Sequence, residues 1–407
     1  MSPVETMTFT TRISGLSGRW PSLPEWFSYS SLAELDLCPR RWSLERATYP
    51  DLWTGRGYPD LPHVASLLGD IIHGSLEQIV RAFADAGVVD TRSVEAVHVL
   101  RDLGGYTAIV TSVLQERVAS LDSNPRIASR RQAFERALRD RVPEMRERVQ
   151  SMLGRVTFTA RQGAADEESG QRSPLAKGTH PEVDVRAEEL RCAGRVDLIS
   201  IKGAEVEITD YKTGTADPHH ADQLRFYALL WSRDVERNPA GTSATRLRLS
   251  YGDIDVSVPA PSLGELDILE EDVRLRISAA VAALAHDPPP ALPSAAACSY
   301  CPVRHMCEEY WISLDTPSSP PVGQPGLLDA EVTVVAPSGS RSVLCAVTHP
   351  GSLSAYEFLL RTAGPADGFE QGMSFRILVA RSDHDEERDL HTLTLTAASE
   401  VYVLEPP

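Results

Sequence analysis

Two aspartates and a lysine form the pattern in this sequence that is best able to do chemistry. Asp197 lies in one segment rich in β-branched residues, and Asp210 and Lys212 lie at the end of the next. Successive side chains of a strand point to opposite faces, so Asp210 and Lys212 share a face, and a hairpin places Asp197 beside them. Paired carboxylates can hold Mg²⁺ or Mn²⁺, and the lysine can orient a water or stabilise charge on a phosphate. The pattern predicts metal-dependent phosphodiester hydrolysis, although Asp-x-Lys by itself also fits a solvated strand end.

Further residues on either side of this pattern fit the same site. Gly69 and His73 lie on a predicted helix, where the histidine is available as a metal ligand or as an ordinary structural residue. Gly194 opens the strand that carries the first aspartate. Gln223 and Tyr227 are four residues apart on the next predicted helix, so both project from one face and can contact substrate or orient the site.

In chain order, these residues resemble the RecB-like branch of the PD-(D/E)xK nuclease superfamily. The matching motifs are GDIIH ending at His73, GRVD ending at Asp197, DYKTG beginning at Asp210 and QLRFY ending at Tyr227. The resemblance covers about residues 28–311. It is carried by the ordered set at these spacings rather than by any one motif.

The resemblance implies a role for each matched residue. It implies that the metal is ligated by His73, Asp197, Asp210 and the backbone carbonyl of Tyr211. It implies a catalytic group that consists of Asp197, Asp210, Lys212, Gln223 and Tyr227. Glu182 and either Glu188 or Glu189 are further acidic candidates, or residues that merely line the strand before the site.

Four of the six cysteines are spaced for a shared metal site. Cys298, Cys301 and Cys307 form a CxxCx₅C pattern, and Cys38 is followed by a proline just as Cys301 is. Tetrahedral sulfur sites hold zinc or an iron–sulfur cluster, and the spacing alone does not separate the two. A disulfide knot is disfavoured in the cytoplasmic compartment expected for this chain.

The family resemblance favours a [4Fe-4S] cluster at these cysteines, with zinc as the alternative. One cysteine before the nuclease core and three after it is the arrangement of the iron–sulfur members, which include AddB-type subunits and CRISPR-adaptation nucleases. Closing a loop of about 260 residues between Cys38 and Cys298 removes unfolded-state entropy, so the expected role is structural. Cys192 and Cys345 lie in apolar strand contexts and are interpreted as core residues.

The surrounding sequence predicts the elements that position these groups. A helix capped by Ser30 or Ser31 is followed by an apolar helical period over about 65–88 and by helices over about 91–153. The breaker-rich stretch 163–181 is expected to be an exposed loop. Strands are predicted at 183–190, 194–201, 204–211, 246–251 and 254–258, with helices at 221–233 and 263–285.

These elements predict an α/β fold with a second, all-β part. Residues 1–27 are a lead-in, and 28–314 form a restriction-endonuclease-like mixed sheet flanked by helices, with the iron–sulfur cluster. A Ser/Pro-rich linker spans 315–325. Residues 326–407 are expected to form a small β-barrel, OB-like, with strands at 332–336, 342–348, 375–380, 390–396 and 401–404.

The overall charge excludes a protein that coats nucleic acid with its whole surface. The chain has 407 residues and a formal net charge of −17, whereas phosphate binding requires lysine and arginine. The arginines between Pro125 and Arg161 can supply a local basic groove, or a solvated helix face with salt bridges. Neither a secretory signal nor a run of about eighteen apolar residues is present, so a cytoplasmic protein without a membrane partner is expected.

The sequence thus predicts a Mg²⁺- or Mn²⁺-dependent deoxyribonuclease, by resemblance an exonuclease acting on single-stranded DNA or DNA ends. Repair, recombination, CRISPR adaptation and phage defence are all compatible pathways, and RNA remains an alternative substrate. No GxxxxGK[ST] motif occurs, so any helicase or defence subunit must come from another chain. The competing hypothesis is a non-catalytic DNA-binding scaffold in a helicase–nuclease complex, which the complete set of Asp197, Asp210 and Lys212 disfavours.

Overall fold

A computed structural model describes residues 20–49, 57–127, 130–160, 172–314, 327–349, 357–387, 389–396 and 398–404. Within these ranges the helices are α1 (Tyr29–Leu37), α2 (Pro39–Arg46), α3 (Val64–Asp85), α4 (Val94–Asp102), α5 (Gly105–Ser120), α6 (Arg131–Arg139), α7 (Val142–Leu153), α8 (Pro218–Arg233), α9 (Leu263–Leu284), α10 (Ala295–Cys298) and α11 (Glu308–Leu314). The strands are β1 (Gly178–Ala187), β2 (Cys192–Lys202), β3 (Glu205–Lys212), β4 (Arg246–Tyr251), β5 (Asp255–Val258), β6 (Leu327–Pro337), β7 (Ser342–His349), β8 (Glu357–Arg361), β9 (Ser374–Asp385), β10 (Leu390–Thr394) and β11 (Glu400–Leu404).

The first five strands form one mixed sheet in sequence order. β1, β2 and β3 are antiparallel neighbours, β3 and β4 are parallel, and β5 returns antiparallel to β4. A parallel pair requires a crossover connection, and α8 supplies it between β3 and β4. The β2–β3 hairpin turns at Gly203-Ala204, where Gly203 adopts a φ of +64° that glycine tolerates without strain.

Helices cover both faces of this sheet. On one face, the predicted apolar period of α3 is entirely buried, and the core there also contains Leu198 of β2 and Tyr211 of β3. On the other face, α1, α8 and α9 pack over Ile208 and Leu249. The predicted restriction-endonuclease-like mixed sheet flanked by helices is therefore confirmed.

The C-terminal strands close into a five-stranded barrel. β6 pairs with β7, β7 with β8, β8 in parallel with β10, β10 with β9, and β9 back with β6. The resulting strand order, first-second-third-fifth-fourth-first, is OB-like, as predicted. Phe358, Phe375 and Ile377 lie in the barrel core.

Buried polar contacts join this barrel to the segment that carries the last three cysteines. Arg304, between Cys301 and Cys307, donates to both carboxylate oxygens of Asp329 in β6, at 2.6 and 3.3 Å. The Tyr310 hydroxyl donates to the same carboxylate at 2.7 Å. The barrel is thus seated directly on the cysteine-bearing segment.

Two more arginines extend this interface. Arg376 of β9 donates to the carbonyl of His305 at 2.7 Å and to the carboxylate of Glu308 at 2.9 Å. Arg126, which follows α5, donates to the Glu400 carboxylate of β11 at 2.8 and 3.1 Å. Both arginines are almost completely buried, so these contacts hold the barrel against the rest of the described chain.

Several predictions of elements were wrong. Ser28, not Ser30 or Ser31, caps α1, and Ser31 completes a capping box. The expected loop over 163–181 lies partly outside the described residues, and its last four residues open β1, with Thr179 and His180 buried. β8 was not predicted. β11, expected to be the fifth barrel strand, instead pairs with β9 outside the closed five-stranded barrel.

The expected linker at 315–325 and most of the lead-in lie outside the described residues. Within the part of the chain that the structure describes, no helix has the length and apolar content needed to cross a membrane.

Candidate active site

The two aspartates meet where the β2–β3 ladder ends. Backbone pairing stops at Leu198 and Thr209, and the next residues along the two strands are Asp197 and Asp210. In place of a ladder partner, the Tyr211 N–H donates to Asp197 Oδ2 at 2.6 Å. The backbone of β3 therefore holds the Asp197 carboxylate next to Asp210.

Lys212 connects this strand end to α8. Its Nζ lies 2.7 Å from Asp210 Oδ2 and donates to Gln223 Oε1 at 2.7 Å. Gln223 Nε2 in turn donates to the Tyr227 hydroxyl at 3.0 Å. The two residues of the QxxxY motif thus form a chain of contacts that holds the lysine in place.

His73 reaches the same point from α3. Its Nδ1 lies 3.9 Å from Asp197 Oδ2, and its ring lies beside that of Tyr211, with ring centroids 6.4 Å apart. The structure therefore brings His73, both aspartates and Tyr211 together.

Two motif glycines allow the close approach of these elements. A Cβ on Gly69 would lie 2.6 Å from Thr213 Oγ1, so α3 packs directly against the residue after Lys212. A Cβ on Gly194 would lie 2.8 Å from Cε1 of the Tyr227 ring. Any larger residue at either position would push α3 or α8 away from the strand ends.

The electrostatics of the site favour a bound cation. Burial, followed by the charge of Asp210, raises the pKa of Asp197 well above its usual range. Burial also raises the pKa of Asp210 despite the Lys212 ammonium, and burial lowers the pKa of His73. Ionising a buried and a partly buried carboxylate next to each other is costly, and a divalent cation would offset that cost.

Glu182 is a further carboxylate beside the site. It lies opposite Asp197 at a break in the β1–β2 pairing, with a φ of +51°. Its carboxylate pairs with Arg195 at 2.7 Å, but burial and the nearby charge of Glu77 outweigh this largely exposed partner and raise the pKa of Glu182 to about 7. Its charge contributes to the raised pKa of Asp197.

Glu188 and Glu189 do not join the site. They lie in a 3₁₀ turn after β1 and border a separate cavity with Ser232 and Asn238. Sequence alone could not choose among the three glutamates, because the register of β1 with β2, which sets Glu182 opposite Asp197, has no local sequence signal.

The arginine-rich stretch forms mostly salt-bridged helix surface. Arg139 pairs with Glu135 and Arg141 with Glu144, each within one helical turn, while Arg161 lies outside the described residues. Arg148 pairs with Glu144 in the same way, and it also donates to the carbonyl of Thr213 at 3.0 Å and so braces the strand end that carries Lys212.

The four cysteines of the predicted cluster line one small cavity. Cys38 precedes α2, Cys298 ends α10, and Cys301 and Cys307 follow, all as buried free thiols. Burial raises the pKa of Cys301 and of Cys307 to about 12, so these thiols would ionise only with a strong compensating cation. Such a donor set fits a metal or cluster.

The other two cysteines take no part in this cavity. Cys192 is buried at the start of β2, and Cys345 is buried inside the barrel. Their interpretation as core residues is confirmed.

A second set of ligand-bearing side chains lies on the β9–β10 hairpin. The ligand atoms of His384, Asp389 and His391 are within 4.8 Å of one another. The two imidazole rings are stacked at 3.9 Å and are almost parallel, so their in-plane lone pairs do not converge on one point. This exposed group is therefore not arranged to hold an ion.

Comparison with known proteins agrees with the geometry. The sequence profile of the PD-(D/E)XK nuclease superfamily matches residues 26–308, a span that contains the strand-end site and all four clustered cysteines. No curated protein matches the chain. A solved structure described as "Structure of murine DNA binding protein bound with ds DNA" is 10% identical and covers 56% of this chain and 95% of its own, with a TM-score of 0.17. A superposition at that level carries no argument about fold or function. The profile match spans more than half of the sequence and includes every residue of the assembled site, so the chain belongs to the PD-(D/E)XK nuclease superfamily.

Proposed function

We propose that this protein is a Mg²⁺- or Mn²⁺-dependent deoxyribonuclease. The observation that carries the proposal is the junction of Asp197, Asp210 and Lys212 at one strand end, where a buried and a partly buried carboxylate lie beside an anchored ammonium. His73 and the Tyr211 carbonyl complete an oxygen-rich donor set with one imidazole, which suits a hard cation.

Each protein group has a definable task in phosphodiester hydrolysis. Asp197, Asp210, His73 and the Tyr211 carbonyl would hold the cation, which when bound polarises the phosphate and lowers the pKa of a coordinated water. Lys212, kept in place by Gln223, supplies positive charge next to the phosphate and stabilises the charge that develops there. Tyr227 fixes the amide of Gln223, so it acts through the lysine.

Single-stranded DNA or a DNA end is the substrate we propose, with exonucleolytic cleavage. The superfamily membership supports a nucleic-acid substrate, and the net charge of −17 restricts binding to a local surface. A role in repair, recombination or phage defence, with a helicase or defence subunit on another chain, fits a sequence in which no GxxxxGK[ST] motif occurs.

A substrate panel tests this proposal. The full-length protein is incubated with Mg²⁺ or Mn²⁺ and with end-labelled linear or circular DNA, single- and double-stranded, and with matched RNA. We expect labelled linear single strands to be degraded and circles to remain intact. Cleavage of circles would replace the exonuclease proposal by an endonuclease, and cleavage of RNA alone would overturn the choice of DNA.

We also propose that Cys38, Cys298, Cys301 and Cys307 hold a [4Fe-4S] cluster. All four cysteines line one small cavity, with one before the nuclease core and three after it, an arrangement that the resemblance associates with the iron–sulfur members of the superfamily. Zinc at the same four thiolates is the alternative.

Metal analysis of anaerobically purified protein tests the cluster. We expect brown protein with iron and sulfide, and bleaching in Cys301→Ala, whereas Cys345→Ala should keep the colour because that thiol lies in the barrel core. Stoichiometric zinc without iron would favour zinc at the same four cysteines.

A further inference from the structure

The face of α8 that anchors Lys212 carries one more polar residue. His220 precedes Gln223 by three positions and Tyr227 by seven, so all three lie along the same face of the helix. His220 is the member nearest the start of α8, just after the exposed segment 214–219. It therefore lies at the open end of the site.

Tyr251 fixes the orientation of this imidazole. His220 Nδ1 and the Tyr251 hydroxyl are 2.9 Å apart. Tyr251 is the last residue of β4 and pairs in register with Lys212 on β3. The histidine is thus tied to the strand ends that carry the catalytic candidates, and among the described residues only its Nδ1 makes a hydrogen bond, which leaves Nε2 for a substrate.

Charged groups of the site affect the pKa of His220. Burial and then the Lys212 ammonium lower the pKa of His220, and the Asp210 carboxylate acts on it in the opposite direction. A neutral ring that accepts from the Tyr251 hydroxyl at Nδ1 carries its proton on Nε2. A hydrogen-bond donor is then present beside the place where a phosphate must enter.

We infer that His220 contacts the substrate, donating from Nε2 to a phosphate oxygen of the bound strand, with Tyr251 as its positioning residue. The inference rests on the proposed nuclease function and adds a binding group to that site. The sequence offered a signal for it, since His220 shares the helical face of the QxxxY motif.

A purely structural role for His220 predicts different behaviour. The start of α8 is already capped by Asp217 and held by the Tyr29 hydroxyl, which donates to the His219 carbonyl at 3.1 Å. Loss of the imidazole should therefore leave the helix in place. His219 itself has an exposed side chain on the same turn and provides a matched control.

The test compares full-length wild type, His220→Ala, His220→Gln, Tyr251→Phe and His219→Ala on single-stranded DNA with Mn²⁺. We expect His220→Ala to lower kcat/KM roughly 10-fold, the effect of removing one hydrogen bond to a charged phosphate next to the scissile one. His220→Gln should recover part of this loss, Tyr251→Phe should lose less, and His219→Ala should remain within about twofold of wild type. Melting temperature and Mn²⁺ binding should not change in any variant.

A second readout separates contact from structure. The phosphates next to the scissile one are replaced one at a time by a neutral methylphosphonate, and the cleavage rate is measured for each strand. At one of these positions the replacement should lower the rate of wild type more than that of His220→Gln. Equal penalties at every position, or wild-type rates in His220→Ala, would overturn the inference alone. A wild-type protein without metal-dependent cleavage would overturn the proposed function and this inference with it.

Discussion

At the scale of single residues, the site disfavours ionised carboxylates in the absence of metal. Burial raises the pKa of Asp197, Asp210 and Glu182, and neighbouring carboxylates add to the rise at Asp197 and at Glu182. The position of the two aspartates on neighbouring strands was predictable from the sequence. The approach of Glu182 and His220 was not, because it depends on the register of β1 with β2 and on a contact with β4.

The raised pKa values predict an unusual pH dependence for the metal-free protein. Raised carboxyl pKa values contribute stability that is fully present below the unfolded value of about 4 and is lost as pH rises through the folded values. For Glu182 the window ends near the pKa of about 7. The lowered pKa values of His305, His73 and His220 act in the opposite direction over the same pH range. In EDTA, denaturant unfolding should therefore show that wild type loses more stability, or gains less, between pH 5.5 and pH 8 than Asp210→Asn does.

Added Mn²⁺ should reverse the trend, because a cation binds the ionised carboxylates. The rise in melting temperature on adding Mn²⁺ should be larger at pH 8 than at pH 5.5 in wild type and absent in Asp210→Asn. An identical pH dependence of the free energy of unfolding in wild type and Asp210→Asn would show that the ionisation of these carboxylates does not affect stability.

At the scale of elements, the site depends on how closely α3 and α8 approach the ends of β2 and β3. Gly69 and Gly194 belong to motifs that the sequence analysis singled out, but the residues against which they pack were not predicted. It missed β8, whose residues EFLLR include no β-branched side chain, so that its strand pairing is set by β7 and β10.

Gly69 provides a test in which packing should reverse the usual effect of a substitution. Glycine to alanine inside a helix ordinarily stabilises by about 0.5–1 kcal/mol. Here the new Cβ would meet Thr213 Oγ1 at 2.6 Å, so Gly69→Ala should destabilise and slow cleavage. The double variant Gly69→Ala/Thr213→Ala should recover stability, and Gly214→Ala, with open space around its Cβ, should be nearly neutral. Stabilisation by Gly69→Ala alone would contradict the close packing.

At the scale of the whole molecule, the barrel and the cysteine-bearing segment share a buried polar interface. Arg304 lies between two cysteines of the proposed cluster and is buried against Asp329 of the barrel. Arg126 is buried against Glu400, 274 residues away. Such long-range pairs have no local sequence signal, so the sequence predicted an OB-like barrel but not how it is held.

These buried contacts favour a structural role for the barrel over a DNA-binding role. The outward side chains of β7 and β8 include Leu344, Ala346 and Leu359 and offer no aromatic platform. Asp383 and Asp385 on the β9–β10 hairpin are exposed acids that would repel a phosphate backbone.

Asp329→Ala tests this interface. The substitution leaves the buried Arg304 guanidinium without its carboxylate, which should lower the free energy of unfolding by about 3–5 kcal/mol. Asp383→Ala removes an exposed pair with Arg381 on the same barrel and should cost at most about 1 kcal/mol. Denaturant unfolding, with iron content measured in parallel, compares the two. Similarly small losses of unfolding free energy in both variants would contradict an interface that depends on the pair of Arg304 and Asp329.

The central claim is that Asp210 and Lys212 carry out metal-dependent phosphodiester hydrolysis, and one assay tests it most directly. The release of nucleotides from end-labelled single-stranded DNA is measured with Mn²⁺ for wild type, Asp210→Asn, Lys212→Ala and Lys202→Ala. Lys202 is an exposed lysine at the far end of β2 and serves as the matched control. We predict cleavage by wild type and Lys202→Ala that EDTA abolishes, and rates lower by on the order of 100-fold or more in the two site variants, with their fold and DNA binding retained. Wild-type rates in Asp210→Asn or Lys212→Ala, or cleavage that persists in EDTA, would contradict the account.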